Sequence, residues 1–126
     1  MRAVDTNILV RLITRDDPDQ TASAESFIST GAWVSTLVLA EALWVLAGVY
    51  HVGSPGQATA VEMLLNHRDL AIHDRESVSA ALALFRTRPT LGFSDCLVLE
   101  MARKAGHLPL GTFDRNLGRV SGAQRL

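Results

Sequence analysis

The sequence predicts an α/β protein with a central, mostly parallel sheet and helices on both faces. Three observations carry this. Short apolar segments of strand length alternate with longer segments of helical length, the alternation from which parallel sheets are built. Helix start and stop signals recur between them: Asp17-Pro18 before one helix, Gly31 after it and Gly106 after a later one. Asp5 follows a strand-like segment almost at the N-terminus, at the kind of strand end where open α/β sheets place their ligands.

Taken in order, residues 2–5 read as a first strand, followed by a helix to about residue 14. Asp17 is placed to cap a second helix, with Pro18 at its first position, running to about residue 30. Residues 32–35 form a second short strand. Thr36 then opens a long, nearly all-apolar helix that reaches about Tyr50. Gly53-Ser54-Pro55-Gly56 breaks the chain, residues 57–67 read as a helix, and residues 70–72 form a third strand. Asp74 suits the cap of the next helix, which carries Val78, Ala81, Leu82 and Phe85 and ends before Pro89. Ser94 or Asp95 starts another helix, ended by Gly106. Residues 108–112 form a fourth strand, with Pro109 near its start, where proline is tolerated. The last residues add a short edge strand.

The chain has 126 residues, enough for one compact domain and too few for two, so residues 1–126 read as a single domain. Hydrophobic residues make up 48% and charged ones 20%, which excludes a disordered chain. The formal net charge of −1 excludes strong non-specific attraction to nucleic acid. A polyanionic substrate would therefore need a local basic patch or a metal. The one cysteine, Cys96, permits no intrachain disulfide and fits a reducing compartment. No signal-peptide pattern opens the chain, because Asp5 and Arg11 interrupt its first apolar run. The longest apolar stretch, residues 37–50, contains Glu41 and is too short to span a bilayer. The expectation is a cytoplasmic protein without membrane contact.

Of the 13 acidic residues, nine suit turns, caps or solvated helix faces. Four do not: Asp5, Glu41, Asp95 and Asp114. Glu41 is the most informative. Its helical neighbours three and four positions away are Leu37, Val38, Trp44 and Val45. A helix that is apolar all round is buried, and a buried carboxylate needs a partner or a metal. The plainer alternative is a salt bridge to Arg11. Asp95 shares its face with Val98, Leu99 and Ala102, and its alternative is an N-cap. Asp114 and Asp5 have capping or turn alternatives too. In a parallel sheet all four positions face one edge. Four converging carboxylates repel and raise some of their own pKa values, a penalty that a hard divalent cation removes. All-oxygen surroundings suit Mg²⁺ or Mn²⁺. His51, His67, His73, His107 and Cys96 lack the ligand spacing of zinc and read as surface or loop histidines and a lone thiol.

These motifs resemble those of the PIN-domain ribonucleases, and within them the VapC-type toxins of bacterial toxin–antitoxin pairs. The resemblance lies in Asp5-Thr6-Asn7, Glu41 after Val34-Ser35-Thr36, Phe93-Ser94-Asp95 and Thr112-Phe113-Asp114, and it covers essentially the whole chain. It implies a three-layer α/β/α PIN-like fold and metal-dependent cleavage of RNA phosphodiester bonds by an endoribonuclease. For toxin members it also implies dimerisation and inhibition by a small cognate antitoxin. Asp5, Glu41, Asp95 and Asp114 match the metal-site acids; Thr6, Asn7, Ser94 and Thr112 match supporting polar positions. Asn116 stands where some relatives carry a further acid, and its carbonyl keeps a coordinating role open. Arg86, Arg88, Arg115 and Arg119 lie near the segments bearing Asp95 and Asp114, and are candidates for holding RNA on the rim. No interleaved aromatic platform for stacking bases is visible in the sequence.

Other readings compete. A catalytically weak PIN-like module that binds RNA or a protein partner has the same motifs. A receiver domain would need a lysine at a late strand end, and the only lysine, Lys104, falls in a helix. A haloacid-dehalogenase-type phosphotransferase would want a second Asp where Asn7 stands. The helix from Thr36 to Tyr50 is too apolar for one small domain to cover easily, which leaves surface for a homodimer partner or an antitoxin.

Overall fold

The computed structural model describes residues 1–126. It is mixed α/β, with six helices and strands that pair only in parallel, consistent with the expected PIN-like α/β/α fold. The strands fall into two sheets, of three and two strands. The chain divides into two compact units, Met1–Asp74 and Arg75–Leu126.

The first unit runs β1 (Arg2–Ala3), α1 (Thr6–Thr14), α2 (Pro18–Ile28), β2 (Ala32–Val34), α3 (Thr36–Gly48), α4 (Ser54–Asn66) and β3 (Leu70–Ile72). Its sheet has the order β1-β2-β3, with Arg2 opposite Ala32, and Ala32 opposite Leu70. Strand alternation puts Ala32 and Val34 in the core and leaves Trp33 half-exposed, where it meets His73 edge-on. Asp17 caps α2 by accepting from the Gln20 amide at 3.0 Å, with Pro18 in the first turn. Ser35 caps α3 by accepting from the Val38 amide at 3.1 Å.

α1 packs against α3, and Leu9, Val10, Leu12, Leu39, Ala42, Leu43 and Leu46 are buried. Each large aliphatic side chain taken fully from water contributes about 1.5–3 kcal/mol. α4 starts three residues before the expected Gln57. Pro55 fits a first turn, where its missing N–H costs nothing. A Cβ at Gly56 would stand 2.7 Å from Val52 Cγ1, so the close approach of the chain there accounts for that glycine.

The second unit runs α5 (Arg75–Thr87), α6 (Phe93–Ala105), β4 (Leu110–Thr112), a 3-10 turn (Leu117–Arg119) and β5 (Ala123–Arg125). α5 and α6 pack along each other, with Phe85 and Phe93 meeting edge-to-face at 5.8 Å. Gly106 ends α6 at φ 83, a left-handed conformation that suits glycine. β4 is shorter than expected: Pro109, preceded by a cis peptide bond, lies outside the ladder. β4 and β5 pair with Leu110 opposite Ala123 and Thr112 opposite Arg125. No helix is long and apolar enough to cross a membrane.

Candidate metal centre

Asp5 sits at the start of α1 with extended backbone angles, φ −90 and ψ 168. A capping carboxylate normally reaches the second or third amide of the helix. Here Oδ1 instead accepts from the first, that of Thr6, at 2.7 Å. The Thr6 hydroxyl in turn donates to Glu41 Oε2, also at 2.7 Å. Thr6 therefore joins two carboxylates from distant parts of the chain. Its burial follows from the contact of α1 with α3. One oxygen of each acid, Asp5 Oδ2 and Glu41 Oε1, accepts no protein hydrogen bond.

Glu41 itself is exposed, which corrects the expectation of a buried carboxylate. Apolar composition around α3 does not mean burial around α3. Leu39, Ala42, Leu43 and Leu46 face the core, while Leu37 and Trp44 are 74% and 76% exposed. Desolvation is thus not what sets Glu41 apart. The alternative of an Arg11 salt bridge also fails. Arg11 donates to Gln20 Oε1, Asp16 Oδ1 and the Tyr50 hydroxyl, and so is spent within its own cluster.

In the second unit, Asp95 lies in the first turn of α6. It does not cap that helix: Gly92 holds the cap position, and neither Ser94 nor Asp95 makes a capping hydrogen bond. Of its expected face, Leu99 is buried and Val98 is half-exposed. A helix N-terminus ordinarily favours a carboxylate's charge. Partial burial, and then the charge of Asp114, outweigh it and raise the Asp95 pKa above its ordinary value.

Asp114 is exposed and held from two sides. Its amide donates to Thr112 Oγ1 at 3.0 Å, and its Oδ1 accepts from the Leu117 amide at 2.8 Å. The turn alternative for Asp114 is therefore realised, with Oδ2 left over. Asn116 makes no capping hydrogen bond, and Asn7, Arg86, Arg88, Arg115 and Arg119 are exposed.

None of Asp5, Glu41, Asp95 and Asp114 forms an ion pair. Asp16, Glu25, Asp69, Glu76 and Glu100, by contrast, each lie within 4.0 Å of an Arg or Lys. Neither unit by itself gathers three His, Cys, Asp or Glu side chains into a metal cage. The donor chemistry fits a hard divalent cation: carboxylate oxygens without basic partners, supported by hydroxyls and amides. Cys96 is fully buried and presents no accessible thiol. Burial, then the charges of Asp95 and Glu100, push its thiol up to about 11, so it stays protonated at neutral pH.

The resemblance marked Thr6 as a polar position; nothing in the sequence pointed to its contact with Glu41. A contact between positions so far apart leaves no local signal. The family model of the PIN domain matches residues 2–123. A search of curated proteins finds no match. Proteins with PIN domains are generally nucleases and typically use divalent metal ions. With the model matched over nearly its whole length, the chain belongs to the PIN domain family.

Proposed function

We propose that this chain is a Mg²⁺- or Mn²⁺-dependent endoribonuclease, with Asp5, Glu41, Asp95 and Asp114 as its metal-site acids and residues 1–126 acting as one domain. The observation that carries this reading is the pair of 2.7 Å hydrogen bonds by which Thr6 holds Asp5 and Glu41. It supports a site because each carboxylate keeps a free oxygen and has no basic partner. Held by these acids, a divalent cation would lower the pKa of a water and offset charge on the phosphoryl oxygens.

The protein's own contribution is orientation. Thr6 fixes the carboxylate planes of Asp5 and Glu41. Thr112 and the Leu117 amide hold Asp114. Asn7, Ser94 and Asn116 are the remaining polar supports. Arg86, Arg88, Arg115 and Arg119 hold the RNA phosphates. Asp5→Asn and Asp95→Asn should each abolish cation-dependent cleavage of single-stranded RNA while leaving the circular dichroism spectrum unchanged. Cleavage at the parent rate by both variants sinks the assignment.

The finer role we infer is that of a cytoplasmic VapC-type toxin, dimeric and inhibited by a small cognate antitoxin. The exposed Leu37 and Trp44 on α3 support a protein partner, because two large apolar side chains two turns apart on one helical face gain most from being covered. The buried, protonated Cys96 is compatible with a reducing compartment. The same exposed face, together with Asn116 in place of a further acid, favours a second reading, a catalytically weak PIN-like module that binds RNA or a protein. Calorimetric titration with Mn²⁺ separates the two. Binding lost in Asp5→Asn supports the nuclease, and no binding supports the module.

A further inference from the structure

Phe113 is 81% exposed, immediately before Asp114 in the turn between β4 and the 3-10 turn. A single exposed apolar residue is ordinary on a protein surface. Two features distinguish this one. First, the turn that carries it is clamped. The Asp114 amide donates to Thr112 Oγ1, and Asp114 accepts from the amides of Leu117 and Gly118, at 2.8 and 3.0 Å. The backbone on the C-terminal side of Phe113 is thus held, and the ring stays out of the core.

Second, three arginines lie close to Phe113 along the chain and the ladder, beside the Asp114 carboxylate. Arg115 is two residues on, Arg119 closes the 3-10 turn, and Arg125 stands opposite Thr112 in the β4–β5 ladder. All three are exposed, and none forms an ion pair or a side-chain hydrogen bond. Arg103 in the same unit is instead tied to Glu100 and the Ser121 carbonyl. An exposed aromatic ring on a segment that also carries exposed, unpaired arginines is the surface chemistry of a single-strand binder, in which bases stack and phosphates pair. A protein partner would favour a wider apolar patch than Phe113 with Leu126, whose amide donates to the Thr112 carbonyl.

We propose that Phe113 is a positioning residue that stacks on one base of single-stranded RNA, setting the backbone against Asp114 with Arg125 as a phosphate contact. The proposal rests on the ribonuclease reading above and names how that site takes its substrate. Stacking tolerates any base, so it selects unpaired strands over duplexes rather than one sequence over another.

The test uses a fluorescein-labelled, ten-nucleotide single-stranded RNA with Mg²⁺, in the Asp95→Asn background so that the probe survives. Anisotropy is read for Phe113 and for Phe113→Ala, Phe113→Leu and Phe113→Tyr. Alanine and leucine should each weaken binding about tenfold, which corresponds to about 1.4 kcal/mol. Tyrosine should stay within about twofold, and the circular dichroism of all four should coincide. Parent-like binding by Phe113→Ala overturns the proposal. So does parent-like binding by Phe113→Leu, which would mean that apolar bulk suffices. Unchanged RNA affinity with an altered oligomeric mass identifies a protein contact and overturns it as well. If the Phe113 protein binds no RNA and the unsubstituted chain cleaves none, the ribonuclease reading itself has failed. If the Asp95→Asn background still cleaves the probe, the metal-site assignment fails while the ratios among the Phe113 variants still decide stacking.

Discussion

Thr6 donates its hydroxyl to Glu41 Oε2 at 2.7 Å, across the contact between α1 and α3. Its amide holds Asp5 at the same distance. Thr6→Val keeps the shape and the amide but removes the hydroxyl. A hydrogen bond of this kind contributes about 0.5–1.5 kcal/mol net, so thermal unfolding should change little. Supporting partners of metal ligands typically cost about 10–100-fold when removed. Cleavage and cation affinity should fall by that order in Thr6→Val and largely return in Thr6→Ser. Single-turnover cleavage and Mn²⁺ calorimetry check both, and full activity in Thr6→Val would detach Thr6 from the site.

Asp95 gives a pH dependence with a definite sign. Burial and Asp114 raise its folded-state pKa above the unfolded value. The folded state therefore holds the proton more tightly, and this stability is fully present below the unfolded pKa. It is lost as pH rises through the folded pKa. In chelator, Asp95→Asn should be more stable than the parent at neutral pH, with the difference closing as pH falls below the ordinary Asp range. A bound cation should restore the parent by about 2.7 kcal/mol at a concentration a hundred times its Kd. Thermal unfolding from acid to neutral pH, with and without Mg²⁺, measures all three, and an unchanged gap across pH would contradict the raised pKa.

Asp16 titrates in the opposite sense. Hydrogen bonds from Thr14 and then Tyr50 hold its pKa below the ordinary value. Its stability contribution is present above the unfolded pKa and lost as pH falls through the lower folded one. Tyr50→Phe removes one of those donors and frees Arg11 from the same hydroxyl. The melting temperature should drop at neutral pH, and the gap to the parent should narrow in acid. A gap that widens in acid would remove Tyr50 from the cluster's energetics.

The two faces of α3 should respond differently. Leu39 is fully buried, and Leu39→Ala should cost about 2–5 kcal/mol. Leu37, two residues earlier, is exposed, and Leu37→Ala should stay within about 0.5 kcal/mol. Joint replacement of Leu37 and Trp44 by Glu should leave the fold intact and abolish self-association or partner binding through this face. Denaturant unfolding and light scattering read the two effects separately; an oligomer that survives both charges assembles elsewhere.

Much of this protein was legible in sequence because its signals are local. Asp17-Pro18 sit within one turn of the amide they serve and the helix they open, and Gly106 ends α6 with its own backbone, whereas Ser35, read as the end of a strand, turns out to cap α3. The alternation of strand and helix follows from residue type and spacing alone, whereas the burial that singled out Glu41 does not hold. Solvent exposure on α3 was not legible. Its near-uniform apolar composition marks no face, so only packing against α1 decides that Leu39 is buried while Leu37 and Glu41 are not. The partners of Arg11 and the link from Thr6 to Glu41 likewise join residues far apart in the chain. Chain order set which chemistry was present. The tertiary contacts set which groups meet, because the bonds that hold Asp5 and Asp114 are local, whereas the Thr6 hydroxyl reaches Glu41 only where α1 packs on α3.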